Sequence, residues 1–118
     1  LSQHLAIKAL SLGNSYINKM VNEYRKRRKY IFDKLNNIGL RTNMPDGAFY
    51  AFSNITQVTN KTSSEFAKDL LKKCKVAVVP GTEFGKYGEG YLRFSYATKL
   101  ELIKNNKFLL NIFYKTLD

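Results

Sequence analysis

Arg93 raises the first chemical question, because it sits at the centre of Tyr91-Leu92-Arg93-Phe94-Ser95-Tyr96-Ala97. Leu92, Phe94 and Tyr96 recur at every second position of an aromatic-rich stretch, which predicts a strand with one apolar face. Alternation then sends Arg93 to the opposite face, with Tyr91, Ser95 and Ala97. A guanidinium there is either satisfied by a structural carboxylate or presents its fork to something outside the domain. Its planar donors match a carboxylate through two parallel hydrogen bonds, a geometry that lysine does not offer.

Other groups carry less chemistry. The loop from Gly81 to Gly90 invites a phosphate reading, but Gly81 to Gly85-Lys86 is one residue short of P-loop spacing. Tyr87 stands where a serine or threonine would hold magnesium, and Gly88-Glu89-Gly90 lacks the third glycine of a dinucleotide fingerprint. Both motifs also need a helix directly after the loop to supply N–H groups, and here a strand is expected. The glycines therefore read as turn residues. His4 is the only histidine, so no histidine cluster is available, and Asp46, Glu65, Asp69, Glu83, Glu89 and Glu101 show no metal-ligand spacing. Cys74, the single cysteine, excludes an internal disulfide framework and reads as a small buried hydrophobe beside Leu70 and Leu71. No internal constellation equips the chain to catalyse a reaction alone.

The elements that must position Arg93 are legible in outline. Leu5, Ala6, Ala9 and Leu10 form a short helical stripe, interrupted at Gly13-Asn14. A stronger one runs through Ile17, Met20, Val21, Tyr24, Ile31, Leu35 and Ile38 to Gly39, which stands where a left-handed helix terminus is expected. Arg41 to Gly47 reads as a connection with a turn at Pro45-Asp46-Gly47, and Ala48 to Ser53 as a strand. Thr62 and Glu65 have capping-box spacing ahead of a helix whose apolar face is Phe66, Ala67, Leu70, Leu71 and Cys74. Val76 to Val79 reads as a strand buried on both faces. Thr98 and Glu101 repeat the capping pattern before a last helix with a weaker stripe of Leu102, Leu109, Leu110, Phe113 and Leu117. Few strands among longer helices imply an α+β fold: a small mixed, mostly antiparallel sheet covered mainly on one face by helices. At 118 residues the expectation is a single domain spanning 1–118.

The composition narrows the function classes. Twenty basic against nine acidic residues give a net charge of +11, which raises a nucleic acid, a membrane surface or an acidic partner as candidates. Much of that charge lies in Arg25-Lys26-Arg27-Arg28-Lys29. Apolar residues flank the block at helical spacing, so it reads as the solvated side of an amphipathic helix; base-stacking aromatics are not interleaved within it. No long uncharged apolar run spans a membrane, no leader suggests export, and one cysteine suits a reducing compartment, so the expected location is cytoplasmic.

Three segments occur in order: Pro45-Asp46-Gly47-Ala48-Phe49-Tyr50, Val76 to Gly85, and Leu92-Arg93-Phe94-Ser95-Tyr96-Ala97. Together with Ser2-Gln3 through Ala9-Leu10 and then Met20, Tyr24 and Arg27-Arg28, they resemble the C-terminal small domain of class I/II pyridoxal-phosphate aminotransferases of the aspartate aminotransferase superfamily. The resemblance covers nearly the whole chain. It implies that Arg93 binds the α-carboxylate shared by the amino acid and the 2-keto acid, aligning the substrate Cα–H with the cofactor. It further implies that Phe49 lines the substrate side of the pocket, and that Pro80, Gly81 and Gly85 shape the turn delivering the arginine strand. The Schiff-base lysine, the partner of the pyridine nitrogen and the phosphate-binding groups belong, in that family, to a larger domain N-terminal to these motifs. The implied whole is a homodimeric transferase that binds pyridoxal phosphate, and the isolated fragment is expected to be inactive. Two other classes stay open on sequence grounds: a basic nucleic-acid-binding or interaction domain, and a lyase or synthase of the same superfamily.

Overall fold

A computed structural model describes residues 1–105 of the chain. Helices α1 (Ser2–Ser11) and α2 (Ser15–Asn37) lead into strands β1 (Arg41–Thr42) and β2 (Tyr50–Asn54). Helix α3 (Ser63–Asp69), extended by a wider π-type turn at Leu70–Cys74, is followed by β3 (Val79–Pro80), two short 3-10 turns, β4 (Tyr91–Ser95) and α4 (Leu100–Asn105). The sheet order is β1-β2-β4-β3, and every pairing is antiparallel. The α+β class therefore holds, with no parallel pair among the described strands. Leu109, Leu110, Phe113 and Leu117 of the expected last stripe lie outside the described residues; within α4, Ile103 is buried and Leu102 is exposed.

One face of the sheet carries the core. Ala51 of β2 and Leu92, Phe94 and Tyr96 of the β4 run are buried with Ile31 and Leu35 of α2, Leu40, Ile55, and Phe66, Ala67 and Leu70 of α3 and its extension. Burying a side chain of Leu, Ile or Phe size contributes on the order of 1.5–3 kcal/mol, so this cluster holds the domain together. Helix α2 ends as its sequence demands. Gly39 takes φ 83°, the Gly39 N–H bonds the Asn36 carbonyl and the Leu40 N–H bonds the Leu35 carbonyl. That pair of bonds is a Schellman closure, and the apolar partners it brings together, Leu35 and Leu40, are both fully buried. The capping box at Thr62 and Glu65 is present in both directions.

Three local readings are corrected. Arg41–Thr42 is a strand rather than part of a connection, paired with Asn54 and Ser53. The Asn36 side chain makes it so: its amide donates to the Thr42 carbonyl and its oxygen accepts the Thr42 N–H, and a buried Thr42–Ser53 hydroxyl bond of 2.7 Å closes the pair. The run Val76–Val79 is not a strand buried on both faces, because only Val79–Pro80 pairs, at the sheet edge beside β4. Lys75 takes a left-handed conformation and the Val76 N–H returns to the Leu70 carbonyl, so the first half of the run closes the helix. Pro80, without an N–H, suits an edge strand. Third, Leu71 is exposed, because the wider turn after α3 rotates it away from the core.

Helix α1 contributes no buried residue. In α2 the stripe is buried only at Ile31 and Leu35, while Ile17, Met20 and Val21 stay exposed. The stripe continues, but the core beneath it stops. Among the described residues no helix is long and apolar enough to cross a membrane.

Candidate functional site

Strand β4 presents Arg93 on the face opposite the core, as alternation requires. Its cross-strand neighbours are Phe52 on β2 and Val79 on β3. Arg93 is half-buried, and its Nε is shielded from solvent without a hydrogen-bond partner. Among the described residues no carboxylate pairs with it, since the ion pairs there join Lys26 to Glu23, Lys29 to Asp33 and Lys61 to Asp69. Aromatic rings surround it instead. The guanidinium carbon lies 4.2 Å from the centroid of the Tyr50 ring and 4.7 Å from that of Phe84. Of the two sequence alternatives for Arg93, internal neutralisation by a carboxylate is not the one realised within these residues.

The rings belong to a longer series. Phe84 meets Phe52 edge-on at 6.1 Å, and Phe52 stacks on Tyr91 at 5.1 Å with planes 5° apart. On the other side Tyr50 lies 4.4 Å from Phe49, and Phe49 6.1 Å from Tyr24 of α2. Phe49 therefore touches the same ring that holds Arg93. It also lines a cavity of about 530 Å³ with Met20, Val21, Tyr24, Arg28 and Tyr96, and Arg93 is not among its walls. Tyr50 is the link between the two residues singled out from the sequence.

The turn before β2 is fixed from two directions. Arg28 donates to the Pro45 carbonyl at 2.8 Å, and the Tyr96 hydroxyl donates to the Ala48 carbonyl at 3.2 Å. Burial pushes the Tyr96 phenol upward, against a smaller opposing effect of the Arg28 charge, so Tyr96 remains a neutral donor. The left-handed position in this turn is Ala48, at φ 59°, although Gly47 is its neighbour. Left-handed backbone at a residue with a Cβ costs roughly 1–2 kcal/mol and persists only where the surroundings impose it.

The glycine-rich loop delivers β4 and offers no phosphate cradle. Gly81 and Gly88 press their backbones together so closely that a Cβ on either would lie 2.0 Å or 1.9 Å from the other's carbonyl oxygen. Phe84 projects from the resulting fold-back. Downstream, Glu89 accepts the Ser63 N–H at 2.8 Å and the Gly90 N–H at 3.0 Å, and these bonds, with the Ser63 hydroxyl, lower its pKa. The buried Ser63 hydroxyl in turn accepts from the N–H groups of Gly90 and Tyr91. The start of β4 is thereby anchored to the start of α3. The other groups weighed in the sequence remain outside: His4 is exposed, and no cluster of three metal-binding side chains exists among the described residues.

Sequence reasoning missed Tyr50 and Phe84. Tyr50 was accessible in part, since alternation along β2 places it with Phe52 on the outer face. Phe84 gave no local signal, because its approach depends on the Gly81–Gly88 contact.

Comparison with known proteins matches this arrangement to one group. The family described as "Aminotransferase class I and II" matches residues 1–105. An aspartate aminotransferase of Pyrococcus abyssi is 48% identical over 104 residues, covering 86% of this chain and 26% of its own length. An aromatic-amino-acid aminotransferase of Thermococcus litoralis is 44% identical over 104 residues, with 86% and 26% covered. The crystal structure of an aromatic aminotransferase from Pyrococcus horikoshii superposes with a TM-score of 0.86 at 43% identity, over 96% of this chain and 30% of that one. The chain thus spans between a quarter and a third of these relatives' length. With the profile matched over nearly all of it, the chain belongs to the class I and II aminotransferase family.

Proposed function

We propose that this chain is the C-terminal, small substrate-binding domain of an aminotransferase that moves an amino group between an amino acid and a 2-keto acid, with Arg93 binding the α-carboxylate. The observation that carries this reading is the state of Arg93: a half-buried guanidinium on the open face of the sheet, flanked by two rings and without a carboxylate partner among the described residues. A guanidinium held by rings keeps its N–H donors available to a carboxylate. Every substrate and product of a transamination keeps the same carboxylate, so a fixed bidentate clamp serves both half-reactions. Phe49, linked to Arg93 through Tyr50, lines the substrate side of the pocket, as the family resemblance implies.

The family uses pyridoxal phosphate, which when bound carries the amino group between the two substrates. The described residues do not fit it by themselves, because the glycine loop is folded onto its own backbone and runs into a strand. In this reading the cofactor, its lysine and the phosphate-binding groups come, as the family resemblance implies, from a larger domain outside this chain, which spans 26% of the length of a relative such as the Pyrococcus abyssi enzyme. The exposed apolar residues of α1 and of the first half of α2, among them Leu5, Ile7, Leu10, Ile17 and Met20, are the surface against which that domain packs. The whole protein is a homodimer, and the isolated chain is inactive.

The test compares wild-type, Arg93→Lys and Arg93→Leu forms of the full-length protein across a panel of amino-acid donors. Losing a bidentate charge-assisted pair is expected to lower kcat/KM about 10²–10³-fold in the leucine variant. Lysine should recover only a minor part. Leucine retaining kcat/KM within about threefold of wild type would sink the reading.

A further inference from the structure

We infer that Tyr50 and Phe84 are the positioning residues for Arg93: an aromatic clamp that sets the guanidinium plane so that a planar carboxylate is met along its edge. The inference rests on the functional reading above and adds to it the residues that aim the arginine. The rings come from opposite sides of β4, Tyr50 from β2 and Phe84 from the loop that follows β3, in a sheet ordered β1-β2-β4-β3. Both lie within the 6 Å over which a ring face attracts a cation. A ring face has one property that a carboxylate lacks. It attracts the guanidinium without accepting its N–H protons, so the fork is held in place while its donors remain free for a ligand.

Two further observations fit this role. The Nε of Arg93 is buried and unpartnered, so orientation of the group is not set by a hydrogen bond at that atom. Phe84 is 52% exposed, which is unexpected for a ring whose purpose is core packing. It is kept over Arg93 by the backbone contact of Gly81 with Gly88 and by its edge contact with Phe52. With rings over the guanidinium, the open approach is in its plane. That approach leaves the edge of the fork open to the two parallel hydrogen bonds of a carboxylate.

The experiment uses the full-length protein and two ring-removing variants, Tyr50→Leu and Phe84→Leu, beside two ring-keeping ones, Tyr50→Phe and Phe84→Tyr. Steady-state kinetics with the best amino-acid donor is paired with calorimetric binding of two unreactive carboxylates, succinate and 3-phenylpropionate. Each lost ring should raise KM and the carboxylate Kd about 3- to 30-fold while kcat changes less than about threefold. The ring-keeping variants should lie within about twofold of wild type. A phenylalanine or tyrosine that fails to rescue overturns the clamp, as does a leucine variant that binds carboxylates like wild type while Arg93→Leu does not. If Arg93→Leu is itself without effect, the underlying reading falls and the clamp with it. Because Phe84 is exposed, its variants remain folded and keep the test decisive.

Discussion

The two faces of β4 are built from neighbouring residues and obey different rules. On the inner face Leu92, Phe94 and Tyr96 are buried in the core cluster with residues of α2 and α3. On the outer face Tyr91 and Arg93 stay half-buried, Phe52 across the pair is 40% exposed, and rings meet one another and a cation without a layer above them among the described residues. The inner face is a finished core. The outer face has the composition of an interior but the exposure of a surface, which is what the proposed carboxylate site would require. The difference teaches that the strand's stability and its function are separable by a one-residue step.

Paired substitutions sharpen that separation most strongly. Phe94→Ala should cost about 3–5 kcal/mol, since the ring is buried and leaves a cavity. Phe52→Ala, one strand away on the outer face, loses chiefly its contacts with Tyr91 and Phe84 and should cost only about 1 kcal/mol. Chemical denaturation of the two variants checks both values. Equal losses would mean that the outer face is a second core and would break the comparison.

How much of this could be read beforehand follows the same division. The inner face was legible because burial writes a period into the sequence: Leu92, Phe94 and Tyr96 at every second place, Phe66, Ala67 and Leu70 on one helical side, Gly39 at the helix end. Arg93 was legible as the residue that breaks the pattern. Strand β1 was not, because two residues carry no periodicity and its pairing comes from the side chain of Asn36, six positions away. Val76 misled because an apolar run states burial without stating whether a helix end or a strand provides it. The register that puts Phe52 opposite Arg93, and the fold-back that brings Phe84 over it, are long-range facts. The apolar stripe on α2 is legible as a stripe, yet Ile17, Met20 and Val21 in its first half stay exposed.

An intermediate effect is expected where the two faces are anchored. Ser63→Ala removes the side-chain acceptor of the Tyr91 N–H and one of the two acceptors of the Gly90 N–H at the start of β4. A stranded buried donor costs roughly 1–3 kcal/mol, so the loss should fall between those of Phe94 and Phe52. Calorimetric melting of the variant tests it, and an unchanged Tm would show that β4 does not depend on this anchor. Glu89 extends the same contact to pH. Its folded pKa is lowered by bonds from Ser63 and Gly90, so its stabilisation is complete above the unfolded value near 4.5. It is lost as pH falls through the lower folded value. A plot of Tm against pH for wild type and Glu89→Gln should therefore separate at neutral pH and converge in acid. Curves that stay parallel through the acid range would remove the carboxylate from this role.

The smallest effect concerns Ala48, where the outer face meets the turn that carries Phe49. Its left-handed backbone, φ 59°, is imposed from outside by the Tyr96 hydroxyl on its own carbonyl and by Arg28 on Pro45. Replacing it by glycine relieves about 1–2 kcal/mol of local strain, while the added freedom of the unfolded chain takes back about 0.5–1 kcal/mol. The net expectation for Ala48→Gly is a gain of about 0.5–1 kcal/mol in stability, read from the denaturation midpoint. If the strain serves to aim Phe49, the same variant should raise KM about two- to threefold in the full-length protein with kcat unchanged, so that stability and binding move in opposite directions. A gain in stability with KM unaltered would assign Ala48 to the inner face's bookkeeping alone, and leave the aim of Phe49 to the Tyr24 and Tyr50 rings that flank it.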